Sequence, residues 1–132
     1  MVTEDELRRI ALALPGAEEG EADRLAFTVG GKGFAWSWME RTEKKKPRVE
    51  RRDVLAVRVE NEGEKQALLA MDSSKFFTED HYNGFPAILV RLDTIEADEL
   101  GEMLLDAWRT RALNSLLREF ETAHSNSDQR TL

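Results

Sequence analysis

Two strand-length apolar runs meet at Gly30-Gly31, and that junction limits the possible folds more than any other feature of the chain. LAFTV (25–29) precedes it and KGFAWSWM (32–39) follows. Glycine reaches positive φ without steric cost, so paired glycines between two such runs predict a tight β-hairpin. In the second run Phe34, Trp36 and Trp38 alternate with Ala35, Ser37 and Met39. A period of two places all three aromatic rings on one face. That face reads as core beneath helices for Phe34 and Trp36, with Trp38 partly exposed near the strand end. A base-stacking platform is the functional alternative. Gly33 is the position for a bulge or a close backbone approach.

The other elements follow from local signals. Thr3 with Glu6 forms a capping box, and Leu7, Ile10, Ala11 and Leu14 recur at helical spacing up to Pro15-Gly16. An acidic linker (Glu18, Glu19, Glu21, Asp23) comes next. Asn61 and Glu64 open a short helix through Leu68, Leu69 and Met71. FFTEDHY (76–82) and FPAILVRL (85–92) flank Asn83-Gly84, which predicts a second hairpin with a type I′ turn. Pro86 lacks an N–H to donate, so the start of that strand is expected at a sheet edge. Leu100, Met103, Leu104, Ala107, Trp108 and Ala112 form the stripe of a long final helix. Leu113, Leu116, Leu117 and Phe120 continue it out of phase, which predicts a kink or a second helix near Ala112. The order α–β–β–β–α–β–β–α is not the alternation of a parallel sheet. It predicts an α+β fold, a mostly antiparallel sheet with the N- and C-terminal helices packed on one face. Residues 1–122 are expected to form one domain and 123–132 a disordered tail.

Composition narrows the chemistry. There are no cysteines and two histidines, which removes disulfides, thiol catalysis and multi-histidine zinc sites. No apolar run approaches the roughly 20 residues of a membrane span, and MVTEDELRR has no signal-peptide pattern. The expected location is the cytoplasm. Formal net charge is −7, yet RTEKKKPRVERRD (41–53) carries seven basic and three acidic residues. The remainder holds 12 basic against 23 acidic residues, so any nucleic acid meets long-range repulsion. The basic run is expected to link two strands as a mobile loop.

ALPGAEEGEADRLAFTVGGKGFAW, LAVRV, FFTEDHYNGFPAILVRLD and DELGEMLLDAWRTRA together resemble the MmcQ/YjbR family, over about Leu7 to Ala112. The resemblance implies a small α+β protein with a frataxin-like, double-wing fold and a DNA-binding label, without a defining catalytic activity. Leu113 stands where many relatives have proline, and the long basic loop lies outside the family's motifs. The acidic set Glu4, Asp5, Glu18, Glu19, Glu21 and Asp23 is similar to the iron-binding ridge of frataxin-like proteins. Clusters arise by chance in so acidic a chain, so no metal or other cofactor is expected.

Two candidate sites result. Arg41, Lys44, Lys45, Lys46, Arg48, Arg51 and Arg52 would bind phosphates by counterion release, and about four neutralised phosphates would give a salt slope near −3.6. A solvated loop whose arginines pair with nearby acids is the plainer alternative. Lys32, Trp36, His81, Tyr82, Arg91, Trp108 and Arg109 are the ligand-pocket candidates, in a pocket between the sheet and the final helix. His81 could titrate or ligate, and Lys32 and Arg91 could hold an anion. The alternative has His81 fixing its hairpin and Arg91 pairing with an acid. No nucleophile elbow, Walker loop or Rossmann spacing is present. The expected function is therefore weak, sequence-nonspecific DNA binding without catalysis, by a monomer with no membrane partner. The competing expectation is a small-ligand or protein-interaction module near His81, Arg91 and Trp108.

Overall fold

The computed structural model describes residues 1–20, 24–41, 43, 45–112, 117–118 and 120–121. Helix α1 (Glu4–Leu12) starts on the capping box: the Thr3 hydroxyl accepts from the Glu6 N–H, and the Glu6 carboxylate accepts from the Thr3 N–H. Next come β1 (Ala17–Glu19), β2 (Ala26–Val29), β3 (Lys32–Glu40) and β4 (Val49–Arg58). Then follow α2 (Glu62–Met71), β5 (Phe76–Phe77), a 3-10 turn (Asp80–Tyr82), β6 (Ala87–Arg91) and α3 (Ala97–Arg111). The six strands form one sheet in the order β1-β2-β3-β4-β6-β5, and every neighbouring pair is antiparallel. The α+β expectation holds. The acidic segment after Pro15 is a correction, because its first residues pair with β2 as the edge strand β1 instead of forming a linker. Glu21 and Asp23 lie outside the described residues.

The two turns differ. Gly30 and Gly31 both have positive φ, 59° and 78°, and Val29 pairs with Lys32. This is the type I′ geometry. At Asn83-Gly84 only glycine turns positive (φ 77°), Asn83 sits at φ −63° and ψ 127°, and the Phe85 N–H donates to the Tyr82 carbonyl at 3.0 Å. That is a type II turn, not the expected I′. The preceding 3-10 turn consumes residues that would otherwise extend β5. The Pro86 expectation holds locally: β6 is internal to the sheet, but β5 pairs only with Leu89 and Val90, so the start of β6 is an edge on that side and no ladder donor is required there.

Phe27 pairs with Ala35 and Thr28 with Gly33, leaving Phe34 as an extra residue. This bulge turns Phe34 into the main core, with Ala35, Leu55, Val57, Ile88, Val90, Leu104 and Trp108. Trp36 and Trp38 go to the opposite face with Val54, Ala56, Phe77, Tyr82, Ala87 and Leu89. The three aromatics therefore do not share a face. Trp38 is the buried one of the later pair and Trp36 is half-buried, the reverse of the expected order. Helix α3 stops at Arg111, and Ala112 is extended (ψ 146°), so the helical stripe breaks where its phase shifts. Phe120 still returns to Trp108, with ring centroids 5.4 Å apart. Residues 113–116 and the tail 123–132 lie outside the described residues.

Lys65 is 1% exposed, and its ammonium donates to the carbonyls of Tyr82 and Phe85. It thereby fastens the 3-10 turn and the following loop to α2 from below. Burying a charged amine without hydrogen bonds costs several kcal/mol, so its position depends on those carbonyls. Lys65→Met leaves each carbonyl with only its backbone partner, the Phe85 or Ala87 N–H, and is expected to lower stability by about 1–2 kcal/mol. Urea unfolding should show this as a lower midpoint at an unchanged slope. A midpoint equal to wild type would mean that the carbonyls are satisfied without the lysine.

Candidate functional site

The basic run is not all loop. Strand β4 begins at Val49, so the connection between β3 and β4 shortens to residues 41–48, and Arg51 and Arg52 lie on a paired strand. Arg51 donates to Glu40 and Asp53, both at 3.0 Å. Arg52 reaches Glu50 at 3.1 Å and Glu4 at 3.2 Å. Lys46 pairs with Glu43 at 3.4 Å. Among the described residues, at least three of the seven cations are thus spent on carboxylates of this chain. Arg41 and Lys45 are exposed, and Lys44 lies outside the described residues.

Glu50 is the polar anchor at the base of this arm. Its carboxylate accepts from the Leu25 N–H at 2.9 Å, from the Ser37 hydroxyl and from Arg52. Ser37 is fully buried. Burial raises the Glu50 pKa, but the Ser37 and Leu25 hydrogen bonds and the Arg52 charge outweigh it and set the group below its ordinary 4.5. Asp53 is also held low, first by the hydrogen bond from Arg51, with burial opposing. Lowered folded-state values stabilise the fold above the unfolded pKa, and that stability is lost as pH falls through the folded values.

Arg48 points the other way. One guanidinium nitrogen donates to the Met39 carbonyl at 3.1 Å, and another approaches His81 Nδ1 at 3.5 Å. Both residues line a cavity of about 380 Å³ with Arg24, Trp36, Met39, Tyr82 and Phe85. The cavity lies on the sheet face opposite α1 and α3. Trp36 Nε1 donates to the Tyr82 hydroxyl at 3.1 Å. Phe85 meets Trp36 and Tyr82 edge-on, at 6.3 Å and 6.0 Å between centroids. His81 meets Tyr82 in the same manner at 5.6 Å. The site therefore combines aromatic faces with two guanidinium groups and an imidazole, and no carboxylate side chain of the described residues lines it.

Four residues proposed from sequence meet here: Trp36, Arg48, His81 and Tyr82. The other pocket candidates do not join them, which corrects the expected pocket between sheet and final helix. Trp108 is fully buried on the helix side, and its indole donates to the Pro15 carbonyl at 2.8 Å. Arg109 is on the same helix, near Asp106 and over the Phe120 ring. Arg91 stacks on Phe77, 4.1 Å from the ring centroid. Lys32 is exposed at the glycine turn. Sequence reasoning missed Arg24, Met39 and Phe85. Phe85 carried one usable signal, an aromatic residue directly after the Asn-Gly turn.

A second cavity of about 300 Å³ lies between α2 and α3, with Val57, Leu68, Met71 and Met103 beside Arg58 and four acids, Glu64, Glu99, Glu102 and Asp106. Its acids outnumber its one described cation. On the acidic ridge, Glu19 and Glu4 both pair with Arg8, at 3.0 Å and 3.3 Å. Among the described residues no group of three His, Cys, Asp or Glu is placed to hold a metal ion. No helix of the described residues is long and apolar enough to cross a membrane.

The YjbR family model matches residues 12–110. The chain belongs to the YjbR family. It is 37% identical over 130 residues to uncharacterized proteins of Mycobacterium bovis and Mycobacterium tuberculosis, covering 91% of this chain and 96% of theirs. Among solved structures it is similar to a Deinococcus radiodurans protein with a DUF419 domain. That match has a TM-score of 0.60 at 24% identity over 82% of this chain and 77% of that one. This YjbR chain thus shares its fold with the Deinococcus protein, and its pocket must be read from its own residues.

Ser37→Ala removes a buried donor from Glu50 and should lower stability at neutral pH by about 1–2 kcal/mol. Urea unfolding at neutral pH and again below about pH 4 tests the sign. The deficit should shrink in acid, where protonated Glu50 no longer gains from the lost hydrogen bond. A deficit of equal size in acid would remove Glu50 ionisation from the explanation.

Proposed function

We propose that this YjbR protein is a cytoplasmic, non-enzymatic module that binds single-stranded nucleic acid weakly, without recognising an extended sequence. The observation that carries this reading is the pocket. Its aromatic faces, Trp36, Tyr82 and Phe85, sit beside Arg24 and Arg48 at the root of the β3–β4 loop. A base that enters the pocket is offered aromatic contacts worth about 1–3 kcal/mol. Its phosphate meets a guanidinium, and the loop side chain Lys45 extends the cationic surface along the strand.

Single strands fit better than duplex for two reasons. A cavity of about 380 Å³ suits one unstacked base, not the edge of a stacked pair. The pairing of Lys46, Arg51 and Arg52 with acids also leaves too little uncompensated charge for a duplex backbone. With about three phosphates engaged, the salt slope for a single strand would be near −2. The acidic remainder of the chain keeps affinity low. The lining supports binding more than catalysis, since among the described residues it offers no carboxylate or aliphatic hydroxyl.

Fluorescence anisotropy of a labelled oligothymidylate at low salt tests this. Wild type should bind, with Trp36→Ala and Arg48→Ala each at least about tenfold weaker. Lys46→Ala should change little. Equal binding by wild type and both pocket variants would move the contact elsewhere, and no binding at low salt would end the reading.

A further inference from the structure

Among the described residues, the hydrogen bonds around the pocket leave it with donors and almost no acceptors. Trp36 Nε1 is a donor only, so the Tyr82 hydroxyl must accept from it, which leaves the hydroxyl proton to donate outward. Arginine has no acceptor, so a hydrogen bond at the 3.5 Å Arg48–His81 contact requires Nδ1 to be the accepting nitrogen, which leaves Nε2 as a donor. Arg24 and Arg48 bring further N–H groups. The carbonyls that could have balanced them are engaged. Met39 accepts from Arg48, and Tyr82 and Phe85 accept from Lys65.

From this polarity we infer that the pocket selects a ring that presents carbonyl oxygens, and rejects one carrying an exocyclic amine at the same position. The inference rests on the single-strand reading and adds a base preference to it. Uracil and thymine present an oxygen at C4 where cytosine presents an amine. Hypoxanthine presents an oxygen at C6 where adenine presents an amine. An oxygen accepts from Tyr82, His81 or an arginine. An amine there faces mostly donors among the described residues and loses hydrogen bonds to water on entry. A site whose polar groups match one partner in this way discriminates more sharply than an apolar one of the same shape.

The test uses short labelled abasic strands with one central base, so that only that base differs. Anisotropy titrations compare uracil with cytosine and hypoxanthine with adenine, on the full-length chain. The oxo base of each pair should bind at least about fivefold tighter. Tyr82→Phe and Arg48→Gln should both narrow that ratio, the second by supplying an amide acceptor to the amine. Circular dichroism and urea midpoints confirm that each variant is folded. Equal affinity within both pairs, with binding still lost in Trp36→Ala, overturns the inference and keeps the single-strand reading. Base-bearing strands that bind no better than the wholly abasic strand overturn both.

Discussion

Phe34 has no partner across the β2–β3 ladder, because Phe27 pairs with Ala35 and Thr28 with Gly33. That unpaired residue determines what each face of the sheet contains. Without it, period-two alternation would put Phe34 on the same face as Trp36 and Trp38. With it, Phe34 fills the core beneath α1 and α3, while both tryptophans go to the layer that no long helix covers. The main core then closes around Trp108, whose burial alone is worth about 3 kcal/mol. The second face keeps a smaller apolar cluster and, beside it, the half-buried Trp36.

Two polar anchors, the buried Lys65 and the half-buried Glu50, hold the surroundings of that second face. Lys65 reaches from α2 to the carbonyls of Tyr82 and Phe85, which keeps the 3-10 turn and the type II turn against the sheet. Glu50 ties β4 to Ser37 of β3 and to the start of β2 at Leu25. Between them these contacts position the aromatic and cationic side chains of the pocket before any ligand arrives. A site preorganised in this way avoids some of the ordering cost of binding. The surface ion pairs act differently. Each contributes little to stability, but together they cancel charge that a simple count would assign to a binding patch.

The parts legible in the sequence were those set by neighbours in the chain. The Thr3–Glu6 capping box, the Gly30-Gly31 turn and the break near Ala112 depend on a few adjacent residues and came through with their positions intact. The face of each tryptophan was not legible, because the bulge arises from pairing with β2 and not from the β3 sequence itself. Nor was the neutralisation of the basic run, since Arg52 finds Glu4 at a separation of 48 residues. The site was half visible. Trp36, Arg48, His81 and Tyr82 carry chemistry that marks them in any sequence. Trp108 and Arg91 look equally eligible until packing places one in the core and the other on the Phe77 ring.

The account stands on one spatial claim: ligands meet this molecule at the Trp36 face of the sheet. An NMR titration of the isotope-labelled chain with a short oligothymidylate reads that claim directly. The Trp36 indole, Arg48 side-chain and His81 ring signals should shift together and saturate together, while the Trp108 indole, sealed beneath α3, stays still. Shifts confined to residues of the α2–α3 cleft, or a Trp36 indole that does not move while others do, would contradict it.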